Sequence, residues 1–220
     1  MDVRVETIQQ QLATQGFCVV PDLIDKQTID QARQVLNRLL AEEIERRDRS
    51  QRDMTTAYLE DNLLESEHPA IAWLRDCINQ AVIRYVQHTE IDYALQWHLQ
   101  GWANINRFGD YHNLHNHPHA WLSGTYYVTV PTDNETLPGR DDRNPGAISF
   151  FDPRPQANMT AIRDDPQVDP EFRVLPEAGA VLLWPAFVHH LVHPNLSRSP
   201  RISVSFNVVL KHPEAHLPAQ

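Results

Sequence analysis

Hydrophobic positions along the chain follow two different rhythms, and the change falls near residue 90. In the first part the spacing is helical. Val5, Ile8 and Leu12 lie one turn apart and predict a short helix that ends at Gly16. Phe17-Cys18-Val19-Val20 then reads as a short strand closed by Pro21. Asp25 is a candidate N-cap for a long helix with the apolar stripe Ile29, Ala32, Val35, Leu36, Leu39, Leu40 and Ile44. That stripe runs out into the charged segment Glu42–Arg52, expected to be a solvated end. Pro69 suits the first turn of a further helix, whose stripe is Ile71, Leu74, Ile78, Val82 and Tyr85.

From residue 91 the texture is that of short strands. Runs rich in β-branched and aromatic residues alternate with Pro, Gly, Asn and Asp. The runs are Tyr93–Leu99, Trp102–Phe108, Trp121–Val130, Ala147–Phe151, Phe172–Leu175, Ala180–Trp184 and Arg201–Leu210. Seven such strands predict a sandwich, a barrel or a jelly roll. The polar stretches 132–146 and 153–170 read as long loops, which on such scaffolds often cover substrates. With no internal repeat and no linker composition, the expectation is one domain over 1–220, with a helical support in 1–90 and a β core in 91–212.

Composition narrows the partners. At 220 residues and 41% hydrophobic content the chain can bury one sizeable core. A formal net charge of −10 disfavours nucleic acid and anionic membrane surfaces, which would repel it. Two cysteines, Cys18 and Cys77, make no disulfide framework and no thiolate metal motif, so both read as reduced thiols. No apolar signal core opens the sequence and no window of about 18 apolar residues occurs, so the expectation is a soluble, cytoplasmic protein.

Candidate chemistry sits in three places. His112, His115, His117 and His119 fall within eight residues, and an HxH pair in extended backbone points both imidazoles to one side, where they can share a metal. Beside this stands the bland alternative of a solvated polar loop. A second histidine group, His189-His190, follows the apolar strand 75 residues on, where antiparallel pairing can bring it alongside. Three protein ligands on one face leave open positions for substrate and O2, the arrangement of non-haem iron oxygenases. The third place is the last strand. Arg201, Ser203, Ser205 and Asn207 share its polar face, and an arginine heading such a face in a core strand needs an anion to offset its desolvation. A planar guanidinium suits a carboxylate, with a serine hydroxyl adding a bond; an internal salt bridge is the alternative.

Jointly these segments carry a resemblance. Asn106-Arg107-Phe108-Gly109-Asp110-Tyr111-His112-Asn113-Leu114-His115-Asn116-His117 resembles the metal-binding strand and loop of prolyl-hydroxylase-like 2-oxoglutarate, Fe(II)-dependent oxygenases, with Gly109 six residues before His115. His190 resembles their distal histidine, and Arg201 with Ser203 their Arg-x-Ser element. Together with Leu122–Val128, Phe151–Arg154 and Arg201–Asn207, the string His115–Pro118 is similar to a subgroup carrying HxH where most relatives carry HxD. The resemblance spans roughly residues 100–210, and Gly16–Ile24 looks like the family's N-terminal strand.

What the resemblance implies is a jelly-roll fold, the double-stranded β-helix of cupin-like proteins, with flanking helices. It implies an oxygenase using Fe(II), 2-oxoglutarate and O2. The metal ligands would be His115, His117 and His190, and the far carboxylate of 2-oxoglutarate would meet Arg201 and Ser203. Tyr127, on the more polar face of Thr125–Thr129, and Asn106 would be further contacts. A histidine in place of the usual carboxylate argues against halogenation. The substrate class implied is an amino acid, a peptide or another small molecule, with hydroxylation as the default outcome. Two other classes stand beside it: a three-histidine dioxygenase of cupin type that needs no oxo acid, and an inactive jelly-roll binding module. His117 as a group behind the ligands also stays open, with Asp110 as a remote substitute. Trp121 and Trp184 read as core ahead of a substrate platform, Asp152 and Arg154 border a long loop and read equally as substrate contacts or as a pair with each other, and His112, His119, His189 and His193 read as solvated or supporting residues.

Overall fold

The alternation in Arg201–Leu210 determines how this chain is layered. That segment is strand β8, at the centre of a sheet. Ile202, Val204, Phe206 and Val208 project to one side and are each 2% exposed or less. Arg201, Ser203, Ser205 and Asn207 project to the other. The apolar side packs on helices; the polar side faces a second sheet. The computed structural model describes residues 26–48, 62–89, 91, 93–136, 138–140, 143–153 and 170–211. The first expected helix, the Phe17–Val20 strand, the Asp25 cap, Cys18, Arg154 and most of the 153–170 loop lie outside those residues.

The elements run α1 (Lys26–Arg47), a short 3-10 turn (Leu63–Glu65), α2 (Pro69–Gln87), β1 (Trp97–Asn106), β2 (His112–His115), β3 (Leu122–Thr129), β4 (Ile148–Phe151), β5 (Glu171–Val174), β6 (Val181–Pro185), β7 (His189–Val192) and β8. Two four-stranded antiparallel sheets result, ordered β1-β8-β3-β6 and β2-β7-β4-β5. Except between β4 and β5, which pair as neighbours, the chain crosses from one sheet to the other between consecutive strands, the winding of a jelly roll.

Helix α2 follows the expected stripe. Ile71, Leu74, Ile78 and Val82 are all fully buried, each stabilising the packing by about 1.5–3 kcal/mol. They meet Ala103 and Ile105 of β1, Leu122 and Tyr126 of β3, and the apolar side of β8 in one core. Tyr85 is half-buried, edge-on to Trp121 at 5.9 Å, so Trp121 is a packing residue as expected. In α1 the buried face is narrower than the stripe predicted. Leu40 and Ile44 are buried, whereas Val35 and Leu39 are 46% and 38% exposed. The helix also extends to Arg47 rather than fading at Glu42, because buried Glu43 receives hydrogen bonds from Arg46 and Arg47 at 2.7–2.8 Å.

The strands correct the expectation in two ways. Tyr93–Leu99 and Trp102–Phe108 are not two strands but largely one, β1, continuous through Gly101. That glycine marks a close approach and not a turn: a Cβ there would lie 2.4 Å from Leu64 Cγ. Asn62 seals the contact, accepting from Gly101 N at 2.8 Å and donating to Leu99 O at 2.8 Å. Conversely, β2 and β7 escape the hydrophobic pattern because histidines occupy the inward positions where apolar residues normally mark a strand.

Candidate active site

The two sheets face each other across a cavity whose walls follow from the strand registers. In the helix-backed sheet Trp102 lies beside Ser205, Asn104 beside Ser203, and Asn106 beside Arg201. On the other flank of β8, Thr125 pairs with Ser205 and Tyr127 with Ser203. In the facing sheet one row runs Phe172, Phe150, His190, His115 across β5, β4, β7 and β2. His115 and His190 are thus direct cross-strand neighbours, with ring centroids 4.3 Å apart.

His117 lies just past β2, held by main-chain bonds. Its N–H donates to Ala186 O at 2.9 Å, and Ala186 N–H donates to Trp121 O at 3.0 Å. Those contacts tie the His115–His117 loop to the turn that leads into β7. The His117 ring stacks on Trp102 at 5.8 Å and 19°, and lies 5.2 Å from His115 and 5.3 Å from His190. One ligand atom from each of the three histidines lies within 4.8 Å of the others. This is the only such metal-capable group among the described residues.

Protonation suits metal binding. His115 Nδ1 is 2.6 Å from Asn113 O, and His190 Nδ1 is 3.2 Å from Val188 O. A carbonyl only accepts, so each ring carries its proton on Nδ1 and leaves the Nε2 lone pair free. Burial, with His115 nearby, depresses His190 to about 3 and His117 to about 4. Both are therefore neutral at neutral pH, as ligands must be.

Arg201 stands deeper in the same cavity and is 2% exposed. Its Nη1 donates weakly to Gly146 O at 3.3 Å, and its guanidinium carbon lies 5.5 Å from the centre of the Tyr127 ring. No carboxylate pairs with it among the described residues, and neither Arg201 Nε nor the Tyr127 hydroxyl has a hydrogen-bond partner there. Burial lowers the arginine's pKa and raises that of Tyr127 to about 12. Ser203 is 1% exposed, between Asn104 and Tyr127, and Asn106 is 1% exposed beside Arg201. A buried cation with idle donors fits a carboxylate ligand, and three clustered imidazoles fit a divalent metal. The donor sets thus match Fe(II) and an oxo diacid.

Other residues divide plainly. His119 and His189 are exposed. His193 Nε2 lies 2.7 Å from Ser149 Oγ, away from the metal-capable group. Asp110 is turned to backbone work, accepting from Arg107 N at 2.8 Å. Two residues do more than the sequence reading assigned them. His112 lines the cavity with its Nε2 buried, and Trp184, 7% exposed, lies 4.9 Å from both His190 and Phe150. For His112 the missed signal was its placement on β2, the same short strand as His115. For Trp184 it was the strict alternation of Leu182 and Trp184 on one side of β6.

Known proteins bear on this geometry in three ways. A family model described as "Putative 2OG-Fe(II) oxygenase" matches residues 100–207. No curated protein matches the chain. Among solved structures, a Pseudomonas putida prolyl-4-hydroxylase is similar at TM-score 0.52 and 17% identity, covering 96% of this chain and 97% of its own. The carbocyclase SnoK from nogalamycin biosynthesis is similar at TM-score 0.53 and 13% identity, over 97% and 90%. HygX from Streptomyces hygroscopicus, solved with nickel and 2-oxoglutarate, is similar at TM-score 0.51 and 13% identity, over 94% and 87%. At such identities the structures speak for the double-stranded β-helix alone; the sequence match over β1 to β8 carries the rest. Through residues 100–207 the chain belongs to the 2OG-Fe(II) oxygenase family, and it is a 2-oxoglutarate-dependent dioxygenase.

Proposed function

We propose that His115, His117 and His190 hold Fe(II), that Arg201, Ser203 and Tyr127 receive the far carboxylate of 2-oxoglutarate with Asn106 alongside, and that the enzyme hydroxylates an unactivated C–H bond of an amino acid, peptide or natural-product-type small molecule. One observation carries this reading. A buried arginine with no described carboxylate partner lines the same cavity as the three clustered histidines.

Bound Fe(II) supplies the redox chemistry, oxidative decarboxylation of the oxo acid being coupled to O2 activation. The chain's own residues do the positioning. Asn113 and Val188 carbonyls fix the tautomers of His115 and His190. Trp102 steadies the His117 ring from beneath. Arg201 offers parallel N–H donors to a carboxylate, and the Tyr127 hydroxyl adds another. Ile148, Val192 and Trp184 line the cavity with apolar surface, which excludes water from the reacting centre.

The test is anaerobic titration of the metal-free protein with Fe(II) and then 2-oxoglutarate, following the visible charge-transfer band of the chelate. The expected result is a saturable band in the wild type and none in His190→Ala at matched Fe(II). A His190→Ala protein that forms the band with wild-type affinity overturns the ligand assignment. Under turnover, one succinate per oxygenated product is expected; product without succinate would favour the oxo-acid-independent three-histidine chemistry.

A further inference from the structure

The cavity's charge and its idle donors say something about what else must enter it, given the assignment of Fe(II) and 2-oxoglutarate above. Among the described residues no aspartate or glutamate lines the cavity, and none pairs with Arg201 to offset its positive charge. Three imidazoles are neutral ligands, so unlike two histidines and a carboxylate they cancel none of a divalent ion's charge. Metal and arginine together exceed the two negative charges of 2-oxoglutarate, and one positive charge is left over in a desolvated space. A residual buried charge is costly, and a counter-charge removes the cost.

Two buried ring nitrogens in the same walls also lack partners among the described residues. Trp184 is 7% exposed and its Nε1 makes no hydrogen bond there. An indole N–H can only donate, so this group is satisfied only by an acceptor that arrives. Trp184 stands against His190, on the metal side of the cavity. His112 Nε2 is likewise buried and unpartnered, on the facing sheet.

We propose that the primary substrate carries a carboxylate group into this cavity and that Trp184 Nε1 donates a hydrogen bond to it. The substrate is then a monoanion at the site, for example an amino acid or a peptide reached through its free carboxyl end, in place of an internal peptide segment or a neutral natural product. Phe150 and exposed Phe172, in the row that continues from His190, offer apolar contact to the rest of it.

Acetate and acetamide are near-isosteres differing in charge, and they serve as the probe pair. Each is titrated into the anaerobic Fe(II) and 2-oxoglutarate complex while the charge-transfer band is followed. Acetate is expected to shift the band with a dissociation constant at least tenfold below that of acetamide. Trp184→Phe keeps an aromatic ring and removes the donor, and is expected to cut that preference at least threefold. Equal constants for the two probes in the wild type overturn the proposal while leaving the co-substrate assignment intact. Loss of the band on adding acetate overturns it too, since acetate would then be replacing the oxo acid at Arg201. Failure of the band to form at all removes the co-substrate assignment and this proposal together.

Discussion

Replacing Arg201 by methionine separates binding from stability, because the two should move in opposite directions. The side chain is 2% exposed, with one weak 3.3 Å hydrogen bond to Gly146 and the face of Tyr127 as its described compensation. In the protein without oxo acid, the cost of desolvating the guanidinium is poorly offset. An apolar side chain of similar length is therefore expected to stabilise that state by about 1–3 kcal/mol, as happens when buried ionic groups give way to hydrophobic ones. Binding should suffer. Two charge-assisted hydrogen bonds to a carboxylate contribute about 1.5–3 kcal/mol each, so 2-oxoglutarate affinity is expected to fall roughly 100-fold or more. Urea denaturation of both proteins without ligand, read as a shift in midpoint at unchanged slope, gives the first quantity. The anaerobic titration gives the second. An Arg201→Met protein less stable than wild type by more than about 1 kcal/mol, with 2-oxoglutarate affinity unchanged, would refute the reasoning and make Arg201 a structural cation.

Two further outcomes follow from the geometry. His117→Asp recreates the commoner carboxylate ligand; Fe(II) binding should persist and the Fe(III)/Fe(II) midpoint potential should drop, since the added negative charge favours the ferric ion, whereas an unchanged potential by spectroelectrochemistry would remove His117 from the ligand set. Glu43 is held at about 2, first by the Arg46 hydrogen bond and then, against desolvation, by Arg47. Its depressed pKa contributes stability above the unfolded-chain value of about 4.3, and that contribution is lost as pH falls toward 2. Glu43→Gln should therefore cost about 1 kcal/mol at pH 7, with exposed Arg46 screened, and the gap to wild type should narrow in urea melts run near pH 3.

Legibility in the sequence tracked burial of apolar side chains. Helix α2 and strands β3 and β8 were readable because one side of each meets the core, and their periods are 3.6 and 2 accordingly. The inward turn of Tyr127 came from the same alternation. Strands β2 and β7 were not readable: each has four residues, and their inner positions hold the polar rings of His115 and His190 where an apolar side chain would mark a strand. The site was legible in its residue types and spacing but not in its depth. That His112 and Trp184 reach the cavity depends on sheet-to-sheet packing, which no local pattern encodes. The α1 stripe misled because Val35 and Leu39 are left exposed while charged Glu43, bonded to Arg46 and Arg47 of its own helix, is buried.

The bonds that fix the His117 position run through main-chain atoms: its N–H to Ala186, and Ala186 in turn to Trp121. Neither depends on which side chain residue 117 bears. The backbone therefore offers a socket that keeps its place whatever occupies it, so an exchange at residue 117 changes the charge beside His115 and His190 without moving the main chain that carries it. Imidazole for carboxylate is such an exchange: it gives up the ring's stacking on Trp102 while the main-chain bonds remain.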